Sequence, residues 1–238
     1  MAQRRAENAS PRSEAIDQIA GAVLDVRRGH PVRVAIDGVG ASGKTRLADE
    51  LAEALERSGR EIIRASVDGF HNPPAVRYRR GGDSPEGYYR DSFDREAIRA
   101  CIVDPLGEGG GRVYRPAVYD FRSESEVRPP SHEASEDAVL LFDGVFLLRP
   151  EMRSWWDYSV FVEAGFDVTL QRALTRDLEL FGTEEAVRER YEKRYIPGER
   201  MYLERDRPRE HADVVFMNDD PARPVVRWNR RAGRGGTT

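Results

Sequence analysis

The stretch "VRVAIDGVGASGKTRLADEL", Val32 to Leu51, constrains this chain more than any other. Its first six residues form an apolar run suited to a buried strand. From about Lys44 to Arg57, Leu47, Leu51, Ala54 and Leu55 recur on one face of a helix. Between them, Gly38 to Thr45 fits G-x-x-x-x-G-K-[ST]. Glycines let the backbone turn so tightly that successive N–H groups converge on an anion. The helix that follows adds the partial positive charge of its N-terminus. Gly38, Gly40, Ala41, Ser42, Gly43, Lys44 and Thr45 are therefore candidates to cradle the phosphates of ATP. Lys44 would reach the β- and γ-phosphates, and Thr45 would set its hydroxyl on Mg²⁺. A chance glycine-rich turn is the competing reading. Against it, the chain has only two lysines, Lys44 and Lys193, and one stands where the motif requires it.

The remaining elements extend this unit. Ile16, Ile19, Ala20, Val23 and Leu24 predict a first helix, with Ser13 as its cap. "EIIRASV" (61–67) is a second strand, so the chain opens as a βαβ unit. Residues 69–93 are rich in Gly, Pro, Tyr and Arg, and a loop of that length is functional or disordered. Asp94 opens a helix to about Val103, and "GRVYRPAVYDF" (111–121) suggests a small hairpin arm. "AVLLFD" (138–143), "YSVFVE" (158–163) and "ADVVFM" (212–217) are further strands. Helices are expected from Asp167 to about Leu180 and from Glu184 to about Arg205, the latter broken near Pro197–Gly198. Residues 1–13 and 228–238 read as flexible ends around one domain, 14–227. Five short strands alternating with helices predict an α/β three-layer domain with a mainly parallel five-stranded sheet. In such sheets ligands bind beyond the carboxyl ends of the strands.

Composition excludes little else. Charged residues are 34% of the chain, but the signs are mixed and the net charge is -4, which gives no argument for a nucleic-acid or membrane surface. No signal peptide or membrane-spanning run is evident, and Cys101 is the only cysteine. A cytoplasmic protein without internal disulfides is the expectation.

Asp143 ends the most apolar strand and precedes Gly144. An acid there can hold Mg²⁺ directly or through water, or it can be a turn residue. Among nucleotide proteins, a GTPase switch would need an Asn/Thr-Lys-x-Asp stretch, and neither lysine stands in one. A mechanical ATPase usually needs partner domains that this chain has no room for. A small-molecule kinase needs a base near the acceptor hydroxyl, an acceptor pocket and arginines that close over the phosphates.

"IDGVGASGKT", then "SVDGFH", "DSFD", "YDF", "FDGVF" and "ADVV" resemble the uridine kinase–phosphoribulokinase–pantothenate kinase group, in the uridine-kinase-like pattern, over about residues 32–217. The resemblance implies a P-loop kinase with a hairpin arm at about 111–130, a helical lid at about 176–200 and, often, assembly of like chains. It implies transfer of the ATP γ-phosphate to an acceptor hydroxyl, a nucleoside's 5′-hydroxyl in uridine kinases. Asp68 matches the acid beside that hydroxyl. A carboxylate at the carboxyl end of the neighbouring strand can take the hydroxyl proton or hold the hydroxyl in line; the alternative is an Asx turn before Gly69. His71 fits either a hydrogen-bonding pocket residue or an exposed loop residue, and no second ligand lies at metal spacing from it. Phe70 and Tyr78 would wall the pocket or pack the loop. Tyr119 and Phe121 match the arm that covers the base, with hairpin packing as the alternative. Arg172 and Arg176, four apart on one helix, match arginines that touch acceptor and phosphates. Arg188, Arg190 and Arg194 follow in the lid.

Acceptor recognition departs from the uridine-kinase pattern. Tyr88 stands where an acid grips ribose hydroxyls, and Glu124 where a histidine contacts the pyrimidine. "ELFGT" (179–183) replaces a lid sequence with two arginines, and Asp143 replaces a glutamate. Pantothenate, a sugar or a sugar phosphate are alternative acceptors, and the arginines of "VRYRR" (77–80) suit an anionic one. A nucleotide-binding regulatory protein without turnover is the alternative of another class.

Overall fold

A computed structural model describes residues 10–229. Helix α1 spans Pro11–Leu24, and Ser10, not Ser13, is its cap, accepting from the Ser13 N–H. Pro11 at the first helical position suits the start, since its missing N–H would have no partner there. Residues 10–13 are therefore part of the domain, and Arg12 is buried. Its guanidinium grips Glu50 at 2.6 Å and Asn218 Oδ1 at 3.0 Å. The flexible-end reading of residues 1–9 lies outside the described residues.

Strand β1 (Val32–Gly38) runs into helix α2 (Lys44–Glu56) as the motif requires. β2 (Ile62–Ser66) follows. The long loop then folds into two short helices, α3 (Pro74–Arg77) and α4 (Pro85–Asp91), each starting on a proline. Helix α5 (Arg95–Ile98) is capped by Asp94 and continues as a π-turn through Val103. The arm is two ribbons. β3 (Val113–Tyr114) pairs with β6 (His132–Glu133), and β4 (Tyr119–Asp120) pairs with β5 (Ser125–Glu126). The pairing partners lie beyond residue 121, so a hairpin confined to 111–121 is not what forms.

β7 (Val139–Gly144) and β8 (Tyr158–Glu163) complete the centre of the sheet. Helix α6 (Phe166–Arg176) leads to α7 (Leu178–Phe181) and α8 (Glu184–Arg190). A π-turn, Tyr191–Tyr195, joins α8 to α9 (Ile196–Asp206). The expected break at Pro197 does not occur. Pro197 falls in the first turn of α9, where no N–H is needed, and the widened turn ahead of it absorbs the change of register. α10 (Pro208–His211) precedes β9 (Val214–Met217).

The sheet has six strands in the order β10-β9-β8-β1-β7-β2. Five are parallel. The sixth, β10 (Val225–Trp228), lies antiparallel on β9, with Val225 opposite Met217. The expected count missed it because it is short and largely exposed, and follows two prolines that read as punctuation. Trp228 thus belongs to the sheet and not to a loose tail; residues 230–238 lie outside the described ones.

Two cores flank the sheet. On one face α1 and α2 set Ile19, Val23, Leu47, Leu51 and Leu55 against Val34, Ile36 and Val160. Each fully buried leucine contributes about 1.5–3 kcal/mol relative to exposure. On the other face Phe70, Phe142, Phe146, Trp156 and Tyr202 pack with Ile98 and Leu106. Both layers leave the carboxyl ends of the strands open, where the loops after β1, β2 and β7 meet.

Candidate active site

Gly38–Thr45 forms the turn between β1 and α2. Gly43 has φ 101°, and a Cβ there would stand 2.5 Å from Asn218 Nδ2. Only glycine meets both conditions. Ala41 is also left-handed, at φ 55°, a strain of the kind concentrated at functional turns. Lys44 is buried, and its Nζ donates to Val39 O at 2.7 Å. Burial pulls its pKa down, while the charges of Glu199, Asp37 and Asp143 hold it up. The Ser42 carbonyl accepts from Asn218 Nδ2 at 2.7 Å, fixing the loop from behind.

Two carboxylates close the strand ends. Asp37, fully buried, accepts from the N–H groups of Gly38 (2.8 Å) and Leu147 (3.2 Å) and from the Tyr202 hydroxyl. It ties the start of the turn to the segment after β7. Its signal in the sequence is an acid closing a buried strand, one not among the expected site residues. Asp143 is paired across the sheet with Ile36 and Ser66, between the turn and β2. It accepts from Thr45 Oγ1 at 2.8 Å and from Arg64 at 3.2 Å. Burial raises its pKa, opposed by the Thr45 bond and the charges of Arg64 and Lys44. Among the described residues no group of three or more His, Cys, Asp or Glu could hold a metal. Thr45 and Asp143 offer two hard oxygens side by side, which suits Mg²⁺, an ion that keeps several waters and takes phosphate oxygens.

Glu199 is the second missed residue. It lies on α9, far along the chain, yet its Oε1 accepts from the Gly40 N–H at 2.7 Å. A carboxylate thus sits in the turn meant for an anion. Tyr88 adds its hydroxyl at 3.4 Å, and Oε2 has no partner. Burial pushes its pKa up to about 7, against the pull of the Gly40 N–H, Lys44, Tyr88 and Arg176. Glu199 gets this close because α9 crosses α4 at Gly198, where a Cβ would stand 2.9 Å from Pro85 O and Tyr88 Cδ1.

On the acceptor side, Asp68 is exposed in the 3₁₀ turn Val67–Phe70. Its charge acts on Asp143, Arg176, Tyr88 and His71. His71 lies between Phe93 (4.6 Å between centroids) and Phe121 (5.1 Å), its Nδ1 3.0 Å from Asp68 O. Burial lowers its pKa and the Asp68 charge offsets this. Tyr119 is buried and donates to Glu124 at 3.0 Å, and Glu124 also pairs with buried Arg77. A cavity of about 460 Å³ opens beside His71 and Tyr119, with Arg115 and Arg128 on its wall. Phe70 does not belong to this wall. It is fully buried against Phe142, in the core under β2. Tyr78 faces the lid instead, with the guanidinium of Arg194 5.0 Å from its ring centre.

The arginines divide. Arg176, at the end of α6, is held by Asp177 (2.7 Å) and the Tyr191 hydroxyl (3.0 Å), and its charge reaches Lys44. Arg172 turns to backbone carbonyls, Asn218 O at 2.7 Å, Asp219 O at 3.0 Å and Ser42 O at 3.3 Å. It braces the turn from the side away from Asp68. Arg194 is buried and donates to the carbonyls of Arg77, Gly82 and Ser84, fastening the lid to the long loop. Arg190 joins it at Gly82 O, 2.7 Å, whereas Arg188 has only a weak pair with Glu192 at 3.9 Å.

The sequence and the fold have known counterparts. The family described as "Phosphoribulokinase / Uridine kinase family" matches residues 34–219. The chain is 29% identical over 189 residues to uridine-cytidine kinase B of Dictyostelium discoideum, covering 79% of this chain and 74% of that one. It is 26% identical over 155 residues to a uridine kinase of Brevibacillus brevis, covering 63% and 68%. A possible uridine kinase from Bacillus stearothermophilus shares the fold at TM-score 0.67 and 24% identity, over 85% of this chain and 97% of that one. D-glycerate 3-kinase from Cryptococcus neoformans shares it at TM-score 0.55 and 14% identity, over 85% and 94%. With the strand–turn–helix cradle and the match over most of its length, the chain belongs to the phosphoribulokinase/uridine kinase family of ATP-dependent kinases, which phosphorylate a hydroxyl group.

Proposed function

We propose that the protein transfers the γ-phosphoryl group of ATP to the 5′-hydroxyl of a nucleoside, with Asp68 as the base. The observation that carries this is the setting of Asp68. It is exposed at the carboxyl end of β2, beside Asp143, and within the field of Arg176, which also acts on Lys44. A hydroxyl held by Asp68 would face a phosphate held by Lys44 and the N–H groups of Gly38–Thr45. The acceptor oxygen forms the new P–O bond, its proton passes to Asp68, and ADP leaves with the electrons of the broken P–O bond. Lys44 and Arg176 stabilise the charge on the transferring group. Thr45 and Asp143 would hold Mg²⁺, which would supply neutralisation of the phosphate charge. Closure of the lid would keep water from the transfer. Arg172 acts as a positioning residue for the turn.

The nucleoside follows from the relatives, which are uridine and uridine–cytidine kinases. Phe121 packs on His71, and Tyr119 lines the same cavity, so these rings would flank a base there. A second reading keeps the chemistry and changes the acceptor to an anionic one. Buried Arg77, whose Nε lacks a partner, and the arginines lining the 460 Å³ cavity favour it. The reaction so proposed is cytoplasmic, where ATP is available; no described helix is long and apolar enough to cross a membrane. ADP release with MgATP, measured across nucleosides, pantothenate, sugars and sugar phosphates, tests it. Stimulation by uridine or cytidine is expected. Tight ATP binding with no acceptor-dependent turnover would overturn the catalytic reading.

A further inference from the structure

Between α4, the end of α9 and the segment after β7, a second cavity of about 220 Å³ is walled by arginines. Arg79, Arg80, Arg90, Arg95, Arg149 and Arg205 line it, against Asp91, Glu151 and Asp206. That is a surplus of three positive charges on a protein whose net charge is -4. No residue of Gly38–Thr45 reaches it.

The carboxylates in this wall are already engaged. Asp91 is held by Arg79 and Arg80, Glu151 by Arg95 at 2.6 Å, and Asp206 by the Tyr89 hydroxyl. Arg149 is left over. It is only 4% exposed, its guanidinium lies 3.8 Å from the Tyr89 ring centre, and its Nε and Nη2 have no hydrogen-bond partner. A buried, unpaired guanidinium is costly unless an anion completes it. The fork of Arg149 matches the oxygens of a phosphate or carboxylate. Burial also presses the Arg149 pKa down, against the smaller opposing pull of Tyr89 and Glu151. The volume is below the roughly 300–1,000 Å³ of sites for drug-sized ligands, which suits a small, highly charged group.

We propose that this cavity is an oxyanion-binding site centred on Arg149, separate from the ATP cradle, taking inorganic phosphate or the phosphate group of a small phosphorylated molecule. Arg149 and Tyr89 form its floor, and Arg79, Arg90 and Arg95 its rim. The site adjoins the active centre through two links. Tyr89 follows Tyr88, the partner of Glu199, and Arg149 follows Leu148, whose N–H donates to Asp37.

The test is calorimetric titration of inorganic phosphate, at low ionic strength, into protein saturated with MgADP. One binding event is expected, unchanged in Lys44→Ala and weakened at least tenfold in Arg149→Gln. Glycerol phosphate in a parallel titration separates the sources: tighter binding than phosphate marks a phosphorylated metabolite, weaker binding marks the free ion. If Arg149→Gln fails to fold, two other readouts serve. The rim variant Arg79→Gln/Arg90→Gln should weaken binding several-fold, and selenate soaked into crystals should give an anomalous peak at Arg149. Absence of binding, binding lost with Lys44→Ala but kept in the arginine variants, or selenate only at Gly38–Thr45 would overturn the proposal.

Discussion

The donor and acceptor sides of the cleft are built differently. On the donor side Asp37, Ser42, Lys44 and Asp143 are all buried, and their contacts run mainly to one eight-residue turn and the strands beside it. On the acceptor side Asp68 is exposed, and the surrounding groups come from the long loop, the arm and the lid. On the proposed function, the donor side would hold ATP in a turn already braced by buried groups. The acceptor side is assembled from mobile kinds of element, loop and ribbon, whose residues set specificity. Changes on the two sides should therefore break different things.

The largest effect is expected at Asp68. Asp68→Asn should lower kcat about 10²- to 10⁴-fold with ADP affinity nearly unchanged, as steady-state kinetics and calorimetry would read. Loss of nucleotide binding instead would move Asp68 to the donor side. Next is Asp37, where the expected loss is of fold and not of chemistry. Asp37→Ala strands the N–H groups of Gly38 and Leu147 and the hydroxyl of Tyr202, and should cost about 3–5 kcal/mol in a urea melt.

Glu199 joins the two sides, since it reaches the cradle from the lid. Its pKa of about 7 is raised above the ordinary 4.5. Its contribution to stability is thus present below about pH 4.5 and lost as pH rises through 7, on the order of 3 kcal/mol. Above pH 7 its charge also opposes the phosphates beside Gly40. Affinity for MgADP should fall from pH 6 to pH 8. Glu199→Gln should flatten that profile and tighten binding about tenfold at pH 8; an unchanged slope would place the titrating group elsewhere. The smallest effect is expected at Glu124, where Glu124→Gln should raise or lower the acceptor KM several-fold and leave kcat and ADP affinity alone. That variant separates a nucleoside from an anionic acceptor: relief of the negative charge favours the second.

Legibility followed the same division. Strand, turn and helix from Val32 to Glu56 could be read directly, because phosphate binding there depends on consecutive residues and on backbone geometry that glycine spacing dictates. Asp143 and Asp68 were visible as acids ending apolar strands. Glu199 was not, since nothing local distinguishes it from the other acids of a charged helix. It matters only because Gly198 lets α9 approach α4. Phe70 shows the opposite case. Its neighbours suggest a pocket, but the turn at Val67–Phe70 rotates its ring into the core.

The sequence by itself determined the alternation of strands and helices, the parallel sheet and the glycine-rich turn through apolar periodicity and one short motif, while the kinase chemistry came from its resemblance to a family over an ordered set of motifs. Only the tertiary structure decided the antiparallel sixth strand, the bracing role of Arg172, the carboxylate of Glu199 in the cradle and the unpaired Arg149. Each depends on which groups packing brings together, and in two cases the partners lie more than a hundred residues apart, as in the reach of Glu199 to Gly40 and of Arg172 to Ser42. Local propensity carries no information about such meetings, because they are fixed by packing and by the need to satisfy buried polar groups.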